Sequence, residues 1–205
     1  MINLEKRFNN LCMHYTADIK FIEKQFITLK SNYSESVRSY HNLTHLEALF
    51  SFFDTYENDL AHPNEVAFAI FYHDIIYKIG ARDNEEKSVE AAVVELTKLK
   101  IDSSAIGRIS NLIMATKHHN AITEDEKWMV DLDLSILGQA KDRYESYAQN
   151  IRQEYRKIPS ILYKRGRKKV LQHFLNKDFI FQTDVFRNKF ESTARINLES
   201  ELNSL

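Results

Sequence analysis

In the stretch AFAIFYHDIIY, residues 67–77, a histidine and a carboxylate, His73 and Asp74, interrupt a run that is otherwise almost wholly apolar. An unpaired carboxylate is costly to bury, so Asp74 demands a cation or several hydrogen-bond donors. A divalent metal meets that demand: imidazole with carboxylate suits Zn, Mn, Fe, Co or Ni, and carboxylate-containing sets also accept Mg. A buried His/Asp pair that only stabilises helix packing is the competing account. Upstream, SYHNLTHLEAL (39–49) spaces His41 and His45 four apart in a leucine-bearing helical pattern, and positions i and i+4 share one helix face. The pair can address one point, or else His45 is an interior histidine and His41 a polar residue at a helix start. A third stretch, MVDLDLSIL (129–137), sets Asp131 and Asp133 among apolar residues. Side chains two apart on a helix diverge by about 200°. At most one of the two therefore faces an interior ion, while the other caps, pairs or meets water.

The elements that carry these residues all read as helices. Leu4, Phe8, Leu11, Tyr15, Ile19, Ile22, Phe26 and Leu29 recur at helical spacing and predict one long amphipathic helix. A second helix carries His41 and His45 through Phe53. A third starts near Pro63, a favoured first-turn residue, and runs through His73 and Asp74 to Tyr77, with Gly80 as a left-handed cap. Asp83 and Glu86 have the spacing of a capping box opening a helix over 84–99, as do Thr123 and Glu126 for a helix that Gly138 closes. Between them lies a helix over 104–118. Helices over 141–156 and 160–175 follow, and a last one carries the seam Phe186, Phe190, Ala194, Leu198. The expectation is an all-α, single-domain bundle of eight or nine helices.

Composition narrows the function classes. In 205 residues there are only 4 Gly and 2 Pro and no stretch that resembles a linker. Lys plus Arg number 28 against 29 Asp plus Glu, which removes any global argument for nucleic acid. The run YKRGRKK (163–169) is basic, but without an interleaved stacking platform it reads as a solvated turn and helix start. The single Cys12 makes neither an internal disulfide nor a cysteine-based zinc site. The first fifteen residues lack an apolar core of the signal type, and no run approaches the ~20 apolar residues of a membrane span. A cytoplasmic protein with no membrane and no nucleic-acid partner is the expectation. Its oligomeric state is left open.

The ordered set His45, His73-Asp74 and a later Asp in an all-α chain resembles the H…HD…D ligand series of the HD superfamily of metal-dependent phosphohydrolases. The strings YHNLTH (40–45), FYHDIIY (71–77), NEEKS (84–88), ATKH (115–118), DLDLSILG (131–138), Gly166-Arg167 and ARINL (194–198) resemble a predicted phosphohydrolase group within it, over nearly the whole chain. The resemblance implies an HD-type helical domain over residues 1–205, holding a divalent metal through His45, His73, Asp74 and Asp133, with Asp131 the alternative. Asp133 is preferred because Leu-Asp-Leu-Ser is similar to the last-ligand string of the cyclic-nucleotide phosphodiesterases, another branch of the superfamily. YHNxxH also resembles that branch, which implies that His41 protonates the leaving oxygen while His45 binds metal. Nothing matches the purine clamp of those enzymes, so the roles carry over and the substrate does not.

The implied activity is hydrolysis of a phosphoester in a small molecule, a nucleotide being the leading class, by a water that the metal activates. In this scheme Asp74 ligates and orients the metal, and His41 donates a proton from a pKa near ~6.5. Glu85 supplies a further acid/base group or orients a ligand histidine, while Glu86 serves as a cap. Arg38, Arg152, Arg165 and Arg167 are candidates for gripping phosphate through the guanidinium fork. Lys117 and His118 are further candidates for phosphate. Two other functions fit an HD-type chain: a regulatory module that binds a nucleotide without turnover, and a di-iron oxygenase in which His118 or His119 completes a second metal site.

Overall fold

The computed structural model describes residues 2–205 and is all-helical, about 75% helix, with no strand among the described residues. Among the described residues ten α-helices form, slightly more than the periodicity predicts. The chain packs as two compact units, one ending at Met129 and the other spanning Val130–Leu205.

The first unit contains α1 (Leu4–Met13), α2 (Ile19–Tyr33), α3 (Leu43–Tyr56), α4 (Pro63–Tyr72), α5 (Asn84–Lys98) and α6 (Ser103–His118), and α7 (Glu124–Leu134) begins in it. The single helix expected over 4–29 is thus two. Asp18 breaks it: its carboxylate accepts from the Phe21 amide at 3.0 Å and caps α2, and such a cap is worth ~1 kcal/mol. Asn3, Asn42 and Asp102 cap α1, α3 and α6 in the same way.

The centre of this unit is α4, on which every residue from Glu65 to Tyr72 is buried. It packs against α3, α5 and α6, and two ties at its N-terminal end, one on the first turn and one just before it, fix its place. Glu65 forms a two-pronged ion pair with Arg108 of α6, both contacts at 2.7 Å. Asp125 on α7 accepts from the amides of Ala61 and His62 at 2.8 and 2.9 Å. Phe71 sits edge-on to Phe8 with ring centres 5.1 Å apart, so the apolar end of α4 is clamped by aromatic rings of α1 and α3.

The capping box at Thr123 and Glu126 forms as expected: Glu126 accepts from the Ile122 amide at 2.7 Å and the Thr123 hydroxyl accepts from the Glu126 amide at 3.3 Å. The equivalent box at Asp83 does not form. Asp83 makes no side-chain cap and pairs with Lys87 at 2.7 Å, and Glu86 pairs with Lys117 of α6.

In the second unit, the end of α7 passes into a 3-10 turn, Ser135–Gly138, followed by α8 (Lys141–Glu154), α9 (Ser160–Leu175) and α10 (Asp184–Ser204). The turn packs on α10 so closely that a Cβ at Gly138 would lie 2.4 Å from the Cβ of Phe190. Gly138 is therefore demanded by a close approach. The Asn197 amide secures the same contact by donating to the carbonyls of Leu137 and Gln139, each at 2.9 Å.

Candidate metal centre

His73 and Asp74 do not lie inside α4, as the apolar periodicity predicts, but in the turn that follows its last residue, Tyr72. Gly80, with φ +79°, belongs to the loop rather than to a helix cap. The helix ends here because buried side chains take over the backbone bonding. The Tyr33 hydroxyl donates to the Phe71 carbonyl at 3.1 Å and accepts from the Asp74 amide at 3.3 Å. The Arg38 guanidinium donates to the carbonyls of Asp74 at 2.6 Å and Ile75 at 3.0 Å. Further along the loop, Ser88 Oγ bonds both backbone groups of Ile76, and the Asn84 amide does the same for Lys78. A polar loop is thereby fastened to α5 and to the segment before α3.

That preceding segment holds His41. Asn42 caps α3 by accepting from the Thr44 amide at 2.9 Å, so His41 sits just before the helix, and the single helix face expected for His41 and His45 is not formed. The two rings still approach, with centres 6.0 Å apart. His41 stacks on Tyr77 at 4.3 Å, Tyr40 packs against both histidines, and Arg38 also reaches the His41 carbonyl at 3.3 Å.

His45 and His73, 3% and 1% exposed, bring their Nε2 atoms to 3.2 Å from one another. Asp74 Oδ2 lies 3.2 Å from His73 Nε2 and 4.0 Å from His45 Nε2. These three residues form a group whose ligand atoms all lie within 4.8 Å. The spacing suits one ion: ligands at 2.0–2.1 Å in a tetrahedron stand about 3.3 Å apart. The donor set fits as well. His73 Nδ1 lies 2.9 Å from the Ile70 carbonyl, which can only accept, so Nδ1 donates there and Nε2 is the nitrogen turned towards the group. Burial raises the cost of charge on Asp74, yet the imidazoles of His73, His41 and His45 hold its carboxyl below the ordinary range. Its side chain keeps 15% exposure, against 1% for each of the two histidines.

Glu85, half-buried on the first turn of α5, has its carboxyl pushed up by burial and by the charge of Asp74. It belongs to the electrostatic surroundings of the group. The other expected site residues have different places. Arg38 is spent on backbone carbonyls and on Glu35, with Tyr33 and Tyr77 against its guanidinium, so it braces the site instead of gripping phosphate. Lys117 donates to Glu86 and to the Arg82 carbonyl at 2.9 Å. His118 is exposed at the end of α6, and the chain then turns through His119 at φ +51°.

In the second unit, Arg152 donates to the Tyr155 carbonyl at 2.7 Å and lies over the Tyr163 ring. Arg167 is buried in a forked pair with Glu201 at 2.7 and 2.8 Å. Both guanidiniums serve packing. Asp131 accepts from the amides of Gln182 and Thr183 and from the Thr183 hydroxyl, each at 2.7 Å, so both its oxygens are engaged at the start of α10. Asp133, half-buried on α7, points away from Asp131 by helix geometry. Sequence reasoning missed Tyr33, Tyr40 and Tyr77. Tyrosines carry no periodic signal that separates a site wall from ordinary core. Comparison with protein-family models, curated proteins and solved structures returns no match for this chain.

Proposed function

We propose that the chain is a metal-dependent phosphohydrolase of the HD type, acting on a phosphoester of a small molecule, with a nucleotide the leading substrate class. The observation that carries this reading is the convergence of His45 Nε2, His73 Nε2 and Asp74 Oδ2 on one point at the ends of two helices. Three protein ligands with an open side are the pattern of a catalytic ion, whereas a structural ion is closed by a fourth. A divalent ion held there would polarise a phosphoryl oxygen and lower the pKa of a water. The residues supply the rest. His45 and His73 present lone pairs from rigid, buried rings. Asp74 keeps its negative charge and so both attracts the ion and orients a water nucleophile. His41, beside the group and steadied by Tyr77, donates the proton that the leaving oxygen needs. Glu85, whose carboxyl retains its proton to higher pH than usual, is placed to exchange protons with the solvent side.

The test combines metal content with turnover. The purified protein, stripped with chelator and reloaded separately with Mn, Zn, Fe, Co, Ni or Mg, is screened against nucleotides, cyclic nucleotides and phosphomonoesters. Asp74→Ala should lose both the metal and turnover. His41→Ala should keep the metal while kcat falls ~10²-fold or more. Turnover that survives in Asp74→Ala after exhaustive chelation would refute the proposal.

A further inference from the structure

Between Glu154 and Asp178 the chain contains eight Lys or Arg residues and no Asp or Glu. In a protein whose formal charge is only −1 this is a strong local imbalance. The stretch comprises a 3-10 turn, Tyr155–Lys157, and the whole of α9. Packing uses a narrow seam of α9, Tyr163, Arg167, Leu171 and Phe174, spaced by three and four. Arg167 is already neutralised by Glu201. The opposite face of α9 is solvent-exposed and carries Arg165, Lys168 and Lys169.

The apolar residues on this face are unusual. Ile161 is 82% exposed and Leu162 59%, adjacent on the first turn of α9, with Pro159 exposed just before them. Single exposed apolar residues need no explanation, but two adjacent large ones at a helix tip within a cationic surround do. From Leu162 the apolar surface continues into a groove of about 310 Å³ beside Ile151, Tyr155, Ile158 and Val170.

We propose that the α9 face is a docking surface for an anionic lipid bilayer, with Ile161 and Leu162 entering the interface and Arg165, Lys168 and Lys169 lying among the headgroups. The charge complementarity is one-sided, because no carboxylate of the stretch opposes a negative surface. Each Lys or Arg near such a surface strengthens binding roughly fivefold, and large apolar side chains at the boundary add the area that a purely electrostatic contact lacks. A nucleic acid would use the cations but gains little from two aliphatic side chains, since its bases call for aromatic stacking platforms. The exposed face of α9 offers no Phe, Tyr or Trp ring, His173 being its one aromatic side chain. The inference is independent of the metal centre.

The experiment is co-sedimentation of the full-length protein with phosphatidylcholine vesicles containing either no anionic lipid or 30% phosphatidylserine. The protein should pellet with the anionic vesicles only, and less as salt is raised. Arg165→Glu/Lys168→Glu/Lys169→Glu should abolish the binding. Ile161→Asn/Leu162→Asn, which leaves the charge intact, should weaken it at least fivefold. All these positions are exposed, so helix content by circular dichroism should stay at the wild-type value, and a variant that loses it is replaced by the single change Lys169→Glu or Ile161→Asn. No pelleting with anionic vesicles overturns the proposal. So does full binding by the Asn variant, and so does binding to a 20-nucleotide single-stranded RNA that is tighter than binding to vesicles and equally insensitive to Ile161 and Leu162.

Discussion

Arg38 holds together the two segments that carry His41 and Asp74, and its replacement by Met, which keeps the stem and removes the guanidinium, measures how much that brace contributes. The buried carbonyls of Asp74 and Ile75 lose donors at 2.6 and 3.0 Å. A buried acceptor left without its partner costs about 1–3 kcal/mol, so the two together cost about 2–6 kcal/mol. The contact to the His41 carbonyl, at 3.3 Å, adds little. The pair with Glu35 is half exposed on the carboxylate side and contributes near zero. The expected loss is therefore about 4 kcal/mol, a large share of the ~5–15 kcal/mol that folded domains possess. Urea unfolding followed by helical circular dichroism reads it as a lower midpoint at unchanged slope. Arg38→Lys should recover only part of the loss, because an ammonium cannot span carbonyls on both prongs of the fork. Under the proposed function, metal affinity of the folded Met variant should fall as well, since the turn carrying His73 and Asp74 is no longer held. A loss below 1 kcal/mol, or a Lys variant equal to wild type, would refute the brace.

Cys12 is fully buried, and burial pushes its thiol up to about 12 from 9.0. The folded chain then holds this proton more tightly than the unfolded one: the stabilisation is complete below pH 9 and is lost as pH rises towards 12. Cys12→Ala should remove that alkaline slope from the unfolding curve, and the native thiol should resist iodoacetamide at pH 8 until urea is added. Arg167→Met strands Glu201 in a site where both side chains are about nine-tenths buried, so a loss of about 3–5 kcal/mol is expected. Arg167→Met/Glu201→Leu should recover most of it in a double-mutant cycle. Gly138→Ala drives a methyl into Phe190 and should cost about 1–3 kcal/mol, read from the thermal midpoint.

Helices whose starts carry a local signal were legible to within a residue or two. Pro63 opens α4, and Thr123 with Glu126 opens α7 through a box whose partners are all local. The same four-residue pattern at Asp83 misleads, because Lys117 approaches Glu86 from another helix and offers an ion pair in place of the reciprocal amide bond. Competition of that kind lies in tertiary contacts, and no local pattern reports it. The break at Asp18 was legible in principle, since an Asp two residues after Thr16 is a capping signal, but the unbroken apolar spacing on both sides hides it. Periodicity counts only which residues are apolar. It is blind to a turn that preserves the register of the stripe.

The same blindness explains the candidate site. Apolar spacing continues through FYHDIIY as if α4 did, so His73 and Asp74 read as helical, whereas Tyr33 and Arg38 reach in from distant sequence and turn the chain at Tyr72. The three candidate ligands stood out because a histidine and a carboxylate are conspicuous against an apolar background. The bracing was legible only as strings without a role. Asn84 and Ser88, quoted from NEEKS, bind the backbone of the loop after Asp74. Arg195 and Asn197, quoted from ARINL, bind carbonyls of the segment after α9 and of the turn at Gly138. A buried side chain that satisfies another segment's backbone is selected for reach and donor geometry, and its type alone cannot distinguish it from a substrate-binding group. Arg38, Arg152 and Arg167 all look like phosphate grips by residue type, and in each case the fork closes on carbonyls or a carboxylate of the chain itself. Arg38, Arg152, Arg167 and Arg195 hold segments of the chain in place, whereas Arg165, Lys168 and Lys169 of α9 are exposed.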